Sequence, residues 1–219
     1  MSSSLLQKIL GVVFSPGKYM AEIVEKPFLE EALLLVGFYA TFGAISAYIS
    51  LNRIIYDFQG TGIDQETMNK FGLISGLVAA IVMSFFIWAT VAGGIHLLAQ
   101  FMGGKGSFRT ILVVVGFSLM PVLLATLLET VLIYLSEPVY ITMDISNPAA
   151  MGDMMDEIYQ SSTYMAMAII GALGWIWAAF IQLKGTVLEE RLSQMQAGIC
   201  VGVPLILMLI MTVGTRYLI

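Results

Sequence analysis

Charged residues are scarce in this chain. They make up only 11% of its 219 residues, whereas soluble domains carry about 25%. Hydrophobic residues make up 58%, and the mean hydropathy is +0.90. A soluble core cannot hide this much apolar surface, so the composition excludes an ordinary soluble enzyme and a disordered chain. The net charge of −5 and the lack of a basic patch also exclude a nucleic-acid binder.

Cysteine and histidine are each present only once. The single Cys200 excludes an intrachain disulfide and a thiolate zinc site, and the single His96 excludes a histidine-rich metal site. No Ser-His-Asp arrangement is apparent. We therefore expect a protein that is not an enzyme and that carries no cofactor and no metal.

What the chain does contain is long apolar runs, and five of them reach the roughly 20 residues needed to cross a bilayer. A backbone in hydrocarbon must satisfy its own hydrogen bonds, so each run is predicted to be a helix. The fold class is therefore an all-α, polytopic membrane helix bundle. The predicted spans are Ala32 to Leu51, Leu73 to Ala99, Thr110 to Leu135, Ser162 to Leu183, and Ala197 to Thr215.

Lysine and arginine are distributed unevenly between the two sides of these spans. The side that carries the N-terminus has seven of them, and the opposite side has three. Because basic loops stay in the cytoplasm, this predicts a cytoplasmic N-terminus and an outer C-terminus. The seven are Lys8, Lys18, Lys26, Lys105, Arg109, Lys184 and Arg191.

Residues 1–30 form the first predicted unit, a pair of cytoplasmic amphipathic helices at the membrane interface, and residues 31–219 form the second, the five-helix domain. The apolar residues of the first helix are spaced so that they fall on one face. Ser15 and Pro16 then break the chain, with Ser15 as a plausible N-cap of the second helix. Such helices lie in the headgroup plane, although packing against the bundle alone is the simpler alternative. The first apolar face consists of Leu5, Leu6, Ile9, Leu10 and Val13.

The loop Gly103-Gly104-Lys105-Gly106-Ser107 invites comparison with a phosphate-binding loop. That motif needs Gly-Lys followed directly by Ser or Thr, between a strand and a helix. Here Gly106 intervenes and the neighbours are membrane helices, so we expect a tight turn between the second and third spans. Lys105 would then face the anionic leaflet.

Two ionisable side chains fall inside the predicted spans, apart from tyrosine and the cysteine. Glu129 in the third span could be a proton or cation site, or a hydrogen-bond anchor between helices, because a carboxylate in a membrane usually faces the bundle interior. His96 in the second span has Gln100 one turn away. It is more typical of an interhelical hydrogen bond than of a ligand.

Pro121 lies well inside the third span, shortly after Gly116 and Ser118. A proline there removes a backbone hydrogen bond and kinks the helix. The third span is therefore predicted to be bent or broken. Broken helices line some transport sites, and they also shape bundles.

The segment from Ser136 to Ser161 has no lysine or arginine and is rich in acidic residues and methionine. Asn147 and Pro148 resemble a helix start. An acidic helix that caps the bundle is the simpler interpretation, and a metal site is the alternative. Small-residue pairs such as Gly198 and Gly202 could build either the monomer core or an interface between copies.

Three short motifs give the chain a family resemblance. They are Phe14-Ser15-Pro16, the turn from Gly103 to Phe108, and Gly116-Phe117-Ser118 with Pro121. With them the chain resembles the Yip-domain, or Ypt/Rab-interacting, family of five-span membrane proteins. The compact form is similar to bacterial and archaeal members. This resemblance implies membrane organisation or trafficking, in a prokaryotic plasma membrane, and implies no enzymatic activity.

Two departures from the eukaryotic pattern argue against a small-GTPase partner. Phe117 stands where many members have tyrosine, and the long polar N-terminal region with its acidic tyrosine motif is missing. The expected partners are the lipid bilayer, further copies of the chain or other membrane proteins. The leading hypothesis is a membrane organiser or scaffold. The alternative is a small ion or solute transporter that uses the kinked third helix and Glu129.

Overall fold

The structure is a computed structural model and describes residues 3–59, 65–144 and 161–213. In that part of the chain eight helices and two short strands follow one another. The helices are α1 (Leu5–Phe14), α2 (Pro16–Glu25), α3 (Leu29–Arg53), α4 (Gln65–Phe101), α5 (Phe108–Ser118), α6 (Met120–Leu135), α7 (Ser162–Glu190) and α8 (Gln194–Val213), and the strands are β1 (Ile54–Gln59) and β2 (Val139–Asp144).

Five helical segments are long and apolar enough to cross a membrane, which confirms the predicted class of an all-α polytopic bundle. They are α3, most of α4, the pair α5–α6, α7, and most of α8. The fourth span begins at the predicted Ser162 but continues to Glu190, past the predicted end at Leu183. Apolar character ends at Leu183, while the helix continues for about two turns, and this extension carries the residues of the site described below.

The third span forms the centre of the bundle. Two thirds of its apolar window is buried, 67%, against 39% or less in each of the other four. Phe117, Ile111 and Leu119 are almost completely enclosed. Gly174 of α7 allows close approach to this centre, because a Cβ there would lie 2.8 Å from the Cβ of Ala125. Small residues thus bring α7 against α6 within one chain.

The small-residue pair of α8 is placed differently. A Cβ added at Gly198 or Gly202 would meet no atom within 4 Å. These two glycines are therefore not used for close packing among the described residues of the chain. The sequence could not separate core glycines from exposed ones, because both follow the same spacing.

The predicted break in the third span is confirmed, and it falls at Leu119. Helix α5 ends at Ser118, and α6 starts at Met120 with Pro121 in its first turn. Proline has no N–H and cannot continue the ladder of hydrogen bonds. Nearby polar groups are satisfied by side chains: Ser118 Oγ donates to the carbonyl of Val115 at 2.7 Å, and Gln182 Nε2 donates to Ser118 Oγ at 2.9 Å.

A two-stranded parallel ribbon follows the ends of α3 and α6, with Ile54 opposite Val139 and Gln59 opposite Asp144. Both spans run towards the same end of the bundle, so the segments that follow them start side by side and point in one direction. The sequence analysis did not predict this ribbon. The predicted helix start at Asn147 and Pro148, like most of the acidic methionine-rich segment, lies outside the described residues.

Helices α1 and α2 pack on the bundle near the start of α3 and the end of α7. The chain break between them is where the sequence placed it, with Pro16 at the first position of α2. Ser15, however, makes no side-chain capping hydrogen bond. Helix α1 is capped instead by Ser4, whose hydroxyl accepts from the Gln7 N–H while the Gln7 side chain accepts from the Ser4 N–H.

The residues of the apolar face predicted for α1 differ in burial. Val13 is buried, whereas Leu6 and Leu10 are exposed. The apolar arc of this helix is wider than the surface that the bundle offers it, so part of the arc packs and part remains uncovered. Lys8, one of the basic residues counted for the N-terminal side, is buried and lies on the packed side.

Candidate functional site

A buried carboxylate lies at one end of the bundle, on Glu190, the last residue of α7. Its side chain is 0% exposed. Oε1 lies 2.7 Å from Nδ1 of His96, and Oε2 accepts from the Gly106 N–H at 2.8 Å and from Nε2 of Gln100 at 3.4 Å. We call Glu190, His96, Gln100 and Gly106 the Glu190 cluster. It joins α4, α7 and the loop before α5 through one carboxylate.

The loop from Gly103 to Ser107, which we call the glycine loop, forms the tight turn that the sequence predicted. Gly103 has φ +84°, in the left-handed region that glycine adopts readily. Its N–H bonds to the carbonyl of Gln100 at 3.1 Å, and the Gly104 N–H bonds to the carbonyl of Ala99 at 2.8 Å. This pair of bonds is a Schellman motif, which ends α4 and satisfies its last carbonyls.

Two glycines of the loop lie against the end of α7 with no space for a side chain. A Cβ at Gly104 would lie 2.6 Å from Glu190 Oε2 and 2.8 Å from the carbonyl oxygen of Ala99. A Cβ at Gly106 would lie 2.7 Å from Cγ of Glu189. The two glycines therefore allow the backbone of the loop to approach the side chains of Glu189 and Glu190 closely. This close approach explains why glycines are concentrated in the loop, and it needs no phosphate ligand.

Backbone and side-chain bonds fix the loop to α7 at both glutamates. The Lys105 N–H donates to the Glu190 carbonyl at 3.2 Å. Oε1 of Glu189 accepts from the Ser107 N–H at 2.7 Å, and Ser107 is the N-cap of α5. A carboxylate at the start of a helix also interacts favourably with the helix dipole. Arg191, with φ 55°, ends α7 directly after this contact.

His96 is an interhelical hydrogen-bonding residue in this structure, linking α4 to α7. Its ring lies 5.7 Å from that of Phe108, centroid to centroid, and its side chain is 19% exposed. A histidine whose Nδ1 faces a carboxylate has a fixed ring orientation. The pair therefore helps to orient the loop against the end of α7.

The remaining site residues predicted from the sequence are not part of this cluster. Pro121 is buried at the start of α6, at the helix break. Glu129 is half-buried in α6, where it interacts electrostatically with Tyr39 of α3. Phe108, whose ring lies beside His96, is in the first turn of α5, whereas Glu129 is in α6, beyond the helix break. The structure thus separates Glu129 from His96.

Glu190 is the residue that sequence reasoning missed. The predicted span ended at Leu183, so Glu189 and Glu190 were treated as loop residues. One signal was available, because His96, the glycine loop and these two acids were all predicted on the same side of the membrane. Nothing in the sequence paired residues 84 positions apart.

Glu190 also terminates a row of buried polar side chains on α7. Gln182, Thr186 and Glu190 are one turn apart from one another, and all are at least nine-tenths buried. Gln182 bonds to Ser118, and Glu190 bonds as described. The Thr186 hydroxyl has no hydrogen-bond partner among the described residues. This row places polar groups deep in the half of the bundle that carries the N-terminal helices.

The second surface of interest is on α1. Leu6, Leu10 and Phe14 are 66%, 52% and 76% exposed. They are spaced by four residues, so they lie along one side of the helix. We call them the α1 stripe. They face away from the bundle, on a helix whose other side is packed against it.

A buried ion pair holds the packed side of α1. Lys8, whose side chain is 4% exposed, lies 2.7 Å from Glu31 at the start of α3. A buried lysine is costly unless it is paired, so this contact fixes the position of α1 on the bundle. A second contact joins the segment before α1 to α2: the backbone N–H and the hydroxyl of Ser3 both donate to the carboxylate of Glu22. These bonds hold the pKa of Glu22 below its ordinary value of 4.5.

Fold and site together define a polytopic helical membrane protein with amphipathic helices and a carboxylate-bound glycine loop at one end. The sequence profile of the Yip1 domain matches residues 10–215. The chain therefore belongs to the Yip1 domain family, as the motifs suggested.

One relative is the uncharacterised protein MJ0794 of Methanocaldococcus jannaschii. It is 27% identical over 131 residues, which cover 59% of this chain and 91% of the relative. No solved structure shows a significant match to the chain.

Proposed function

We propose that this Yip1 family protein is a non-enzymatic organiser of the bilayer in which it lies, and that α1 inserts its stripe among the lipid headgroups. The α1 stripe is the observation that carries the proposal. Three large apolar side chains, Leu6, Leu10 and Phe14, are more than half exposed on a helix beside the start of the first span. Amphipathic helices in this position bury their apolar side at the headgroup and acyl boundary.

The packing of α1 makes such an insertion effective. Val12 is fully buried, and Lys8 is paired with Glu31, so α1 is bound to the membrane-spanning bundle on its other side. A helix held at fixed depth displaces lipid in one leaflet whenever the protein is present. It needs no separate binding step, which distinguishes it from a free amphipathic helix.

The Glu190 cluster has a supporting role in this proposal. It joins the ends of α4 and α7 and the start of α5 at the end of the bundle where α1 and α2 lie. Helix α2 packs on both α5 and α7. A rigid arrangement of these helices keeps α1 and α2 in place. The cluster therefore acts as a structural clamp, and no reaction is assigned to it.

The distribution of basic residues supports a cytoplasmic location for this end of the protein, in a prokaryotic plasma membrane. The partners we propose are the lipid bilayer and, through exposed apolar helix faces, further copies of the chain or other membrane proteins.

Vesicle remodelling tests the organiser proposal. Wild-type protein reconstituted at increasing protein-to-lipid ratio is expected to reduce vesicle diameter, measured by light scattering and electron cryomicroscopy. Leu10→Glu places a charge in the α1 stripe and is expected to abolish the effect. Ala21→Glu adds the same charge at an exposed position of α2 and is the matched control. Equal remodelling by Leu10→Glu and wild type would refute the proposal.

The transport alternative has less support from the geometry. It depends on the kink at Pro121 and on Glu129, and Glu129 lies in α6, outside the Glu190 cluster that holds His96. Potential-driven cation flux in proteoliposomes, with Glu129→Gln beside the wild type, distinguishes the two functions. Flux that disappears in the variant would replace the organiser proposal with transport.

A further inference from the structure

A groove between α2 and α7 has the features of a lipid site. Its volume is about 160 Å³, and it lies at the same end of the bundle as α1. A cavity of about 150 Å³ holds a benzene-sized apolar molecule, so this groove can take a short stretch of one acyl chain. Its lining residues are Gly17, Leu183, Lys184, Val187, Leu188 and Gln194.

The lining combines an apolar surface with one cation. Leu183, Val187 and Leu188 provide the apolar surface, and Lys184 provides the charge. Lys184 is half-buried, and no carboxylate of the described residues lies within ion-pair distance of it. Its ammonium instead lies 5.2 Å from the ring centroid of Phe180. A half-buried lysine without a counter-ion favours an anion from outside the protein.

The acidic residues that follow Lys184 on the same helix are already engaged. Glu189 accepts from the Ser107 N–H, and Glu190 is held within its cluster. A second cation, Lys18, is exposed and follows Gly17 directly in the chain. Lys184 is nevertheless the one charged residue among the described residues that line the groove, so the lining itself is positive, although the whole protein carries −5.

We propose that this groove binds one anionic phospholipid, with its phosphate near Lys184 and part of one acyl chain on Leu183 and Val187. Charge complementarity argues for this occupant over a zwitterionic lipid, because each basic residue at a membrane surface favours anionic headgroups. The position supports it too, since Lys184 lies about 9 Å from the end of α7 by the helical rise, where a lysine reaches the headgroups. This inference does not depend on the organiser proposal.

Native mass spectrometry of the full chain in mild detergent tests the site. The protein is titrated with an equimolar mixture of phosphatidylglycerol and phosphatidylethanolamine of distinguishable mass. We expect the wild type to retain phosphatidylglycerol preferentially. Lys184→Gln is expected to lower that preference about fivefold, the factor associated with one basic residue. Lys26→Gln removes the same charge at the same end, away from the groove, and is expected to leave the preference unchanged.

A second variant tests the groove itself without removing a charge. A Cβ at Gly17 meets no atom within 4 Å, and Gly17 lines the groove. Gly17→Leu is therefore expected to fold, to occupy part of the groove and to reduce binding of both lipids. Gly37→Leu, at another open glycine, is the control. Equal lipid ratios for wild type and Lys184→Gln would overturn the proposal. Full displacement of phosphatidylglycerol by inorganic phosphate would also overturn it, because it would show a phosphate site without a lipid.

Discussion

Replacing Glu190 by glutamine is predicted to loosen one end of the bundle. The variant keeps the size of the side chain and one oxygen acceptor, but it places an NH2 group where the second carboxylate oxygen was. Both the Gly106 N–H and the His96 contact then lose their charged acceptor, and one of the two faces the NH2 group instead of an oxygen. The loss occurs at a site with no exposure to water, so water cannot replace the missing bond.

The size of the effect follows from the strength of such bonds. A hydrogen bond to a charged group contributes about 1.5–3 kcal/mol. We therefore expect Glu190→Gln to lower the free energy of unfolding by about 2 kcal/mol. Glu189→Gln removes the charge of the neighbouring residue, whose bond to the Ser107 N–H is exposed. For this control we expect a loss below about 1 kcal/mol, the usual net value for one hydrogen bond.

Reversible unfolding in mixed micelles measures both free energies, and hydrogen exchange measures the loop directly. The Gly106 amide is expected to exchange about thirtyfold faster in Glu190→Gln, the factor that corresponds to about 2 kcal/mol. If Glu190→Gln and Glu189→Gln destabilise the protein equally, or if Gly106 exchange is unchanged, the clamp does not hold the loop.

Three further predictions concern the same end of the bundle. Gly104→Ala is expected to destabilise the protein by about 1–3 kcal/mol through overpacking against Glu190. Gly17→Ala, in open space, is expected to be neutral or slightly stabilising. Thermal unfolding in detergent compares the two variants, and equal melting temperatures would contradict the close packing of Gly104. The Glu22 carboxyl, with its lowered pKa, favours the folded contact to Ser3 above pH 4.5 and loses it as the pH falls through the folded pKa. NMR titration should find a pKa below 4.5 that rises part of the way towards that value in Ser3→Gly, because this variant removes the hydroxyl donor and keeps the backbone N–H. An unchanged pKa in Ser3→Gly would refute the hydroxyl contact. Thr186→Val removes a buried hydroxyl without a partner among the described residues. It is expected to leave the free energy of unfolding unchanged or to raise it by up to about 2 kcal/mol. Clear destabilisation on thermal unfolding would indicate a partner for that hydroxyl.

The spans could be predicted from the sequence because their signal is local. A run of apolar residues must become a helix in hydrocarbon whatever lies beside it. The break near Pro121 was predictable for the same reason, since proline lacks the N–H that the helix needs. The end of α7 was not, because Leu183 ends the apolar run while the helix continues to Glu190.

The cluster itself could not be predicted, because it depends on contacts between distant parts of the chain. His96, Gln100 and the glycine loop were each noticed in the sequence, but the carboxylate that joins them is 84 to 94 positions away. The burial of the apolar residues of α1 could not be predicted for a related reason. Periodicity showed that Leu6 and Val13 are on an apolar arc, but only the shape of the bundle decides which of them is covered.

The depth of the α1 stripe tests the central claim most directly. In a Cys200→Ala background, spin labels are placed at Leu10→Cys in the stripe and at Glu25→Cys on an exposed position of α2, and the protein is reconstituted in lipid vesicles. Power saturation then measures their access to oxygen and to a water-soluble nickel chelate. The account predicts that the label at position 10 is accessible to oxygen and protected from nickel, with the reverse at position 25. High access to nickel and low access to oxygen at position 10 would show that α1 lies in water and would contradict the account.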